Sequence, residues 1–177
     1  AEGMKQAGLA ALLAGALALA GCASGDLVPR THVKPALSPR AAPPTADLRQ
    51  CHAKLTSQAV SFSPLPDRSF GGGCSAYGSV KLLDIGVAAT NLGAMTCPLA
   101  AGFAAWTRYG VQPAARLLLG GEIERIETFG TYNCRPIAGS GKLSEHAHSN
   151  AVDVAAFVMA DGRRITVKDG WDGDPAA

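Results

Sequence analysis

Residues 144–158 read SEHAHSNAVDVAAFV, and they are the part of the chain that decides its fold. The first ten residues crowd two imidazoles, two carboxylates and serine hydroxyls together, and an apolar run follows at once. Ala151–Val158 and Arg164–Val167 flank Ala160-Asp161-Gly162, which predicts a β-hairpin. The polar cluster therefore leads directly into a predicted strand.

His146 and Asp153 are the residues of this cluster best suited to bind a metal. They are seven positions apart, so they converge only if His146 lies on a loop that turns into the strand carrying Asp153. A neutral imidazole and a carboxylate are good zinc ligands, and a catalytic zinc takes three protein ligands plus a water. The alternative is a hydrogen-bonded His–Asp pair at the entrance of a strand, and the spacing leaves both open.

The rest of the domain mixes helical and strand patterns. Leu48, Cys51 and Leu55 predict a helix with Asp47 as its N-cap. Thr96 caps a second helix that ends at Gly110, with an apolar face of Leu99, Phe103 and Trp106. Further predicted elements are a strand at 59–62, a turn at 71–74, a strand at 80–87, a helix at 113–119 and a strand at 122–129. The predicted strands and helices do not alternate regularly, as they would in βαβ units. The predicted fold class is therefore α+β, with a small antiparallel sheet and flanking helices.

Composition limits the classes of function. The chain has 177 residues, 47% hydrophobic and 17% charged, which is compatible with one buried core plus extensions. The net charge is +2 and no dense Lys/Arg cluster occurs, which argues against nucleic acid as a partner. Few residues are aromatic, so a base-stacking platform is not expected.

The first 47 residues predict export and anchoring. Met4-Lys5 precedes an apolar run from Gly8 to Gly21, and Leu19-Ala20-Gly21-Cys22 resembles the lipobox of bacterial lipoproteins. Residues 1–22 are therefore interpreted as a signal peptide, with Cys22 as the lipidation site on the periplasmic side of the cell envelope. The alternative is an ordinary secretory signal. Residues 23–47 form a Pro-rich tether, and residues 48–177 form the domain.

Four cysteines remain in the domain: Cys51, Cys74, Cys97 and Cys134. None lies in a C-x-x-C pair, which disfavours a zinc ribbon or a redox motif. An exported domain in an oxidising compartment is expected to pair them as structural disulfides. Three connectivities are possible, and the sequence does not choose among them.

Ser144-x-His146-x-x-x-x-Ala151-x-Asp153 resembles the S-x-H-x-x-G-x-A-x-D motif of zinc D-alanyl-D-alanine carboxypeptidases and related peptidoglycan endopeptidases. The surrounding chain resembles more closely the extensin-like C-terminal domain family of bacterial envelope proteins, from about Leu48 to Trp171. Segments that carry this resemblance include Cys51-x-x-x-Leu55, Cys97-Pro98-Leu99-Ala100, Val111-Gln112-Pro113, Tyr132-Asn133-Cys134-Arg135 and Leu143-Ser144-Glu145-His146.

The resemblance implies a Hedgehog-like zinc peptidase fold and a zinc site with His146 and Asp153 as ligands. Tyr132 and Arg135 would be catalytic, with Arg135 facing the substrate, and Ser144 would hydrogen-bond near the ligands. His148 receives no ligand role from the motif. The implied partner is the stem peptide or peptide cross-link of peptidoglycan.

Two departures from the motif matter. Ser149 stands where the peptidases have Gly, so an ordinary backbone conformation is expected there. The family's third ligand and catalytic base come from a later His-rich segment, and no histidine follows His148. The chain is therefore expected to be truncated at its C-terminus, with zinc bound in the full-length protein. The alternative is a non-catalytic envelope module with an incomplete metal site.

Overall fold

A computed structural model describes residues 44–170 of the chain. The helices are α1 (Ala46–Ser57), α2 (Cys97–Trp106), α3 (Gln112–Ala114) and α4 (Val167–Gly170). The strands are β1 (Ser61–Pro64), β2 (Arg68–Gly71), β3 (Cys74–Ala76), β4 (Ser79–Asp84), β5 (Ala88–Thr90), β6 (Met95–Thr96), β7 (Ile123–Gly130), β8 (Asp153–Met159) and β9 (Arg164–Thr166). Residues 1–43, with the predicted signal peptide, Cys22 and most of the tether, lie outside the described part.

The strands form three small sheets. One has the order β1-β4-β6, the second is the β2–β3 hairpin, and the third has the order β5-β7-β8-β9. All pairs are antiparallel except β5 with β7, which are parallel. The predicted mixture of helices and small antiparallel sheets is thus confirmed, including the β8–β9 hairpin. The parallel pair was not predicted, because β5 is only three residues long and shows no period.

The first helix is capped differently from the prediction. The side chain of Thr45 accepts a hydrogen bond from the backbone N–H of Leu48 at 3.2 Å, so Thr45 is the N-cap. Asp47 lies inside the first turn, where its negative carboxylate interacts favourably with the positive end of the helix dipole. The predicted N-cap at Asp47 was wrong because both residues suit a helix start and only the backbone geometry separates them.

The second helix does not end at Gly110. Wider π-helical turns at Thr107–Val111 and Ala115–Leu119 flank α3, so the backbone stays helical to Leu119. Gly120 then ends the run with a left-handed φ of 71°. Pro113 donates no backbone N–H, and the wider hydrogen-bonding of the π turns accommodates it. The predicted apolar face was also partly wrong, since Phe103 is buried whereas Trp106 is 43% exposed.

The core lies between the first two helices and the sheets. Its largest fully buried side chains include Leu55, Val80, Met95 and Ile126, which come from α1, β4, β6 and β7. A disulfide between Cys51 and Cys97 joins α1 to the first turn of α2, with the Cα atoms 6.1 Å apart. A second joins Cys74 of β3 to Cys134, with the Cα atoms 5.7 Å apart. The predicted disulfides are confirmed, and the connectivity is Cys51–Cys97 and Cys74–Cys134.

Among residues 44–170, no helix is long and apolar enough to cross a bilayer.

The Cys51–Cys97 bridge gives a first prediction. It closes a loop of 46 residues, so its removal frees the unfolded chain. The double variant Cys51→Ala and Cys97→Ala should lose about 2–4 kcal/mol in free energy of unfolding, measured by urea denaturation. Cys22→Ala, which changes the cysteine outside both bridges, is the matched control. An unchanged denaturation midpoint in the double variant would contradict the pairing.

Candidate functional site

The polar cluster lies on a long loop whose two ends are held by neighbouring strands. The last residue of β7, Gly130, pairs with the first residue of β8, Asp153. The loop between them folds back on itself: the backbone N–H of Asn133 donates to the carbonyl of His146 at 3.1 Å, and that of Ser144 donates to the carbonyl of Arg135 at 3.0 Å. These bonds place residues 132–135 beside residues 144–146.

Ser144 starts a single 3-10 turn, Glu145–His148. Its hydroxyl accepts a hydrogen bond from the backbone N–H of His146 at 3.3 Å, as an N-cap does. Ser144 is itself buried. The sequence assigned Ser144 a hydrogen bond near the ligands, and in the structure that bond goes to the backbone of His146. Ser144 therefore holds the backbone at His146.

The structure brings His146 and Asp153 together. The Nε2 atom of His146 lies 3.1 Å from Oδ2 of Asp153. The imidazole is only 11% exposed, whereas the carboxylate is 56% exposed, so the pair faces solvent from the carboxylate side. The loop turns into the strand between them, which is the arrangement that the spacing of the two residues requires.

This separation suits two kinds of contact. It is the length of an N–H···O hydrogen bond to a carboxylate. Two donors that each lie about 2.0–2.1 Å from a tetrahedral zinc are separated by about 3.3 Å. The donor types and their spacing therefore fit two corners of a zinc site. Within residues 44–170, no group of three or more His, Cys, Asp or Glu side chains comes close enough to hold a metal.

The other ionisable residues of the turn point to different partners. Nδ1 of His148 lies 3.2 Å from the hydroxyl of Ser75 in β3. The carboxylate of Glu145 accepts a hydrogen bond from the side-chain amide of Asn150 at 2.7 Å, and Asn150 in turn accepts from Thr96 at 2.6 Å. His148 and Glu145 thus tie the turn to β3 and to the start of α2, and their side chains make no hydrogen bond or ion pair with His146 or Asp153 in the described part of the chain.

Tyr132 and Arg135 lie on the exposed arm of the loop. The Tyr132 ring packs against Phe70 of β2 with ring centroids 4.8 Å apart, and both rings are partly exposed. A role for Phe70 could not be predicted from the sequence, because a lone aromatic residue before a glycine turn forms no distinctive pattern. Arg135 is exposed, and its guanidinium makes no hydrogen bond or ion pair with the described residues.

The β2–β3 hairpin braces this arm. Its turn, Gly71-Gly72-Gly73, has positive φ at all three residues, in agreement with the predicted flexible-turn sequence. A Cβ atom on Gly73 would lie 3.0 Å from Cδ1 of Leu143, so a larger residue would displace that side chain, and the φ of 85° also favours glycine here. Together with the Cys74–Cys134 disulfide, this contact locks the hairpin onto the loop.

Ser149 corrects an expectation. Its backbone has φ 55° and ψ 28°, which is the left-handed region that favours glycine. The side chain is fully buried, and its hydroxyl has no hydrogen-bond partner among the described residues. The expectation of an ordinary backbone conformation was wrong, because a serine can occupy this region at an energetic cost. The conformation lets the Ser149 carbonyl accept from the backbone N–H of Thr96 at 2.9 Å.

Ser149→Gly should therefore stabilise the domain. The substitution removes a left-handed side chain and a buried unpaired hydroxyl, which together outweigh the extra freedom of glycine in the unfolded chain. We expect a gain of about 1 kcal/mol in free energy of unfolding, seen as a higher melting temperature in calorimetry. Ser149→Ala keeps the strained backbone and isolates the contribution of the hydroxyl. A loss of stability in Ser149→Gly would show that the hydroxyl has a bonding partner.

The comparisons with known proteins agree with the resemblance to the extensin-like family. No curated protein and no solved structure matches the chain at a significant level. The family model described as "Extensin-like protein C-terminus" matches residues 49–177, well over half of the chain and all of the elements around the His146–Asp153 pair except the start of α1. The chain therefore belongs to the extensin-like C-terminal family.

Proposed function

We propose that this protein is a zinc-dependent peptidase of the bacterial cell envelope that acts on the stem peptides or peptide cross-links of peptidoglycan. The single observation that supports it best is the 3.1 Å approach of His146 Nε2 to Asp153 Oδ2 on an exposed side of the domain. The proposal includes the Hedgehog-like carboxypeptidase fold, and it places the protein on the periplasmic side through a lipid on Cys22.

In this proposal, His146 and Asp153 hold the zinc. The backbone of His146 is held by hydrogen bonds with the Ser144 hydroxyl and with the N–H of Asn133, and its imidazole is buried, so the side chain would lose little freedom when a metal binds. A third protein donor has to come from outside residues 44–170, since those residues supply only two. Zinc, when bound, activates water and polarises a scissile carbonyl.

Arg135 and Tyr132 would bind the substrate. The guanidinium of Arg135 has no partner among the described residues, so its hydrogen-bond donors are available to a peptide carboxylate or carbonyl. Tyr132, on the same arm as Arg135, forms a partly exposed aromatic pair with Phe70 of β2. The Cys74–Cys134 disulfide joins this arm to β3. Because Cys134 directly precedes Arg135, the disulfide limits the movement of the Arg135 backbone.

A second candidate is a non-catalytic module that binds peptidoglycan stem peptides through the same residues. The observation in its favour is that the described residues contain no group of three metal donors. In that case the His146–Asp153 contact is a hydrogen bond that orders the loop, and Arg135 remains the residue that binds a peptide carboxylate.

The two candidates are separated by zinc content and product formation. The full-length protein is purified, its zinc is measured by mass spectrometry, and it is incubated with peptidoglycan sacculi whose released peptides are analysed. The peptidase predicts about one zinc per chain and released peptides, with a loss of at least about 100-fold in activity for His146→Ala. His52→Ala, which changes a histidine on α1 remote in sequence from the site, is the control.

The binding module predicts a different result. The chain should co-sediment with sacculi without releasing peptides, and Arg135→Ala should weaken that binding by about 10-fold or more, as expected for loss of a charged hydrogen bond. Absence of zinc, of product and of co-sedimentation would contradict both candidates.

A further inference from the structure

Two segments of the loop between β7 and β8 pair with each other as a short antiparallel ladder. Residues 135–137 run alongside residues 142–144, with position 136 opposite position 143. The backbone N–H groups of Ser144 and Ile137 donate across this ladder to backbone carbonyls, at 3.0 Å and 2.9 Å. The ladder therefore has the alternation of side chains that paired strands have.

The two faces of this ladder have different surroundings. Directly opposed residues of an antiparallel pair project to the same face, and successive residues project to opposite faces. Leu143 lies on the face that the β2–β3 hairpin covers, where a Cβ atom at Gly73 would be 3.0 Å from its Cδ1. Arg135, Ile137 and Lys142 share the other face, and all three are exposed.

The exposed face of the ladder carries two cations and no carboxylate. Residues 131–143 contain Arg135 and Lys142 but no Asp or Glu. Neither cationic group makes a hydrogen bond or an ion pair with any residue in the range 44–170. The two residues are diagonal neighbours across the ladder, which places them roughly 7–8 Å apart. An extended peptide covers that distance in about two residues.

The acidic residues that follow the loop have other partners. The Glu145 carboxylate accepts a hydrogen bond from the side-chain amide of Asn150 at 2.7 Å. The Asp153 carboxylate lies 3.1 Å from the His146 imidazole. Neither carboxylate forms an ion pair with the two cations of the ladder, so both cations are available to an anionic ligand.

We infer that Lys142, together with Arg135, selects stem peptides that carry two free carboxylates within two residues of each other. The Arg135 guanidinium suits the C-terminal carboxylate, because its fork can donate two parallel hydrogen bonds. The Lys142 ammonium is a point charge that suits the second carboxylate, on the side chain of a diamino acid such as diaminopimelate. The inference rests on the proposed binding of stem peptides, and it holds for the peptidase and for the binding module alike.

Binding of two synthetic stem tetrapeptides to the full-length protein, measured by titration calorimetry, tests this inference. Both peptides end in diaminopimelate and D-alanine. The side-chain carboxylate of the diaminopimelate is free in one peptide and is replaced by a carboxamide of nearly the same shape in the other. The peptide with the free carboxylate should bind about fivefold more tightly, as expected for one exposed ion pair. Higher ionic strength should reduce this preference, because salt screens exposed charges.

Lys142→Gln should bring the two affinities to the same value and leave the affinity for the carboxamide peptide unchanged. The Lys142 side chain is exposed, so the fold should persist, and circular dichroism checks this. Lys142→Arg keeps the positive charge and should keep the preference. Lys54→Gln is the matched control, because it changes an exposed lysine on α1, outside the ladder, and it should leave the fivefold ratio intact.

Three results would overturn the inference. They are equal affinity for the two peptides in the unsubstituted protein, a preference that survives Lys142→Gln, and no binding of either peptide. The proposed function is judged separately, by zinc content and by release of peptides from sacculi or co-sedimentation with them. A protein that passes those tests but does not distinguish the two tetrapeptides would refute the role of Lys142 alone.

Discussion

The pairing of Gly130 with Asp153 at the ends of β7 and β8 is the constraint on which the rest of the site depends. It fixes the distance between the two ends of the loop that carries every residue assigned to the site. Because Asp153 is the first residue of β8, its carboxylate has a set position relative to the sheet. The returning turn then has to bring His146 to that carboxylate, and the cap by Ser144 and the bond from Asn133 determine how it does so.

The two disulfides stabilise different parts of the molecule. Cys51–Cys97 ties α1 to α2 beside the core, where loss of the bond affects mainly the unfolded chain. Cys74–Cys134 ties the β2–β3 hairpin to the arm that carries Tyr132 and Arg135. The side chains of an exposed loop bury little apolar surface, so the Cys74–Cys134 disulfide provides stabilisation that packing does not. The same hairpin contributes Ser75, which contacts His148, so the turn is braced from two directions.

Much of the fold could be predicted from local patterns. The β8–β9 hairpin follows from Asp161 and Gly162, where the Asp161 carboxylate accepts from the backbone N–H of Arg163 at 3.0 Å and Gly162 has a φ of 91°. The start of α2 follows from Pro98 in its first turn, and Thr96 lies at the predicted N-cap position, although its hydroxyl donates to Asn150 and does not cap the helix. The end of the helical run at Leu119 agrees with the helix predicted at 113–119. The continuity of the run through Gly110 could not be predicted, because a glycine within a helix costs about 1 kcal/mol and packing overrides that cost here.

In the candidate site, too, some features could be predicted from local sequence, whereas others depend on contacts between distant parts of the chain. The spacing of His146 and Asp153 permits convergence but does not decide between a hydrogen bond and a metal site. The serine at position 149 does not itself indicate a left-handed backbone, and the bond that its carbonyl accepts from Thr96 joins residues far apart in the chain. The pairing of the cysteines and the contact of Phe70 with Tyr132 likewise depend on the fold of residues far apart in the chain.

The tautomer of His146 tests the central claim most directly. As a hydrogen-bond donor to Asp153, the Nε2 atom carries the ring proton; as a zinc ligand, it must lose that proton, which then lies on Nδ1. Long-range proton–nitrogen NMR of the full-length protein distinguishes the two forms, with His52 and His148 as internal references. We predict that zinc moves the proton of His146 from Nε2 to Nδ1 and leaves the references unchanged. Retention of the proton on Nε2 at saturating zinc would contradict a metal site at His146 and Asp153.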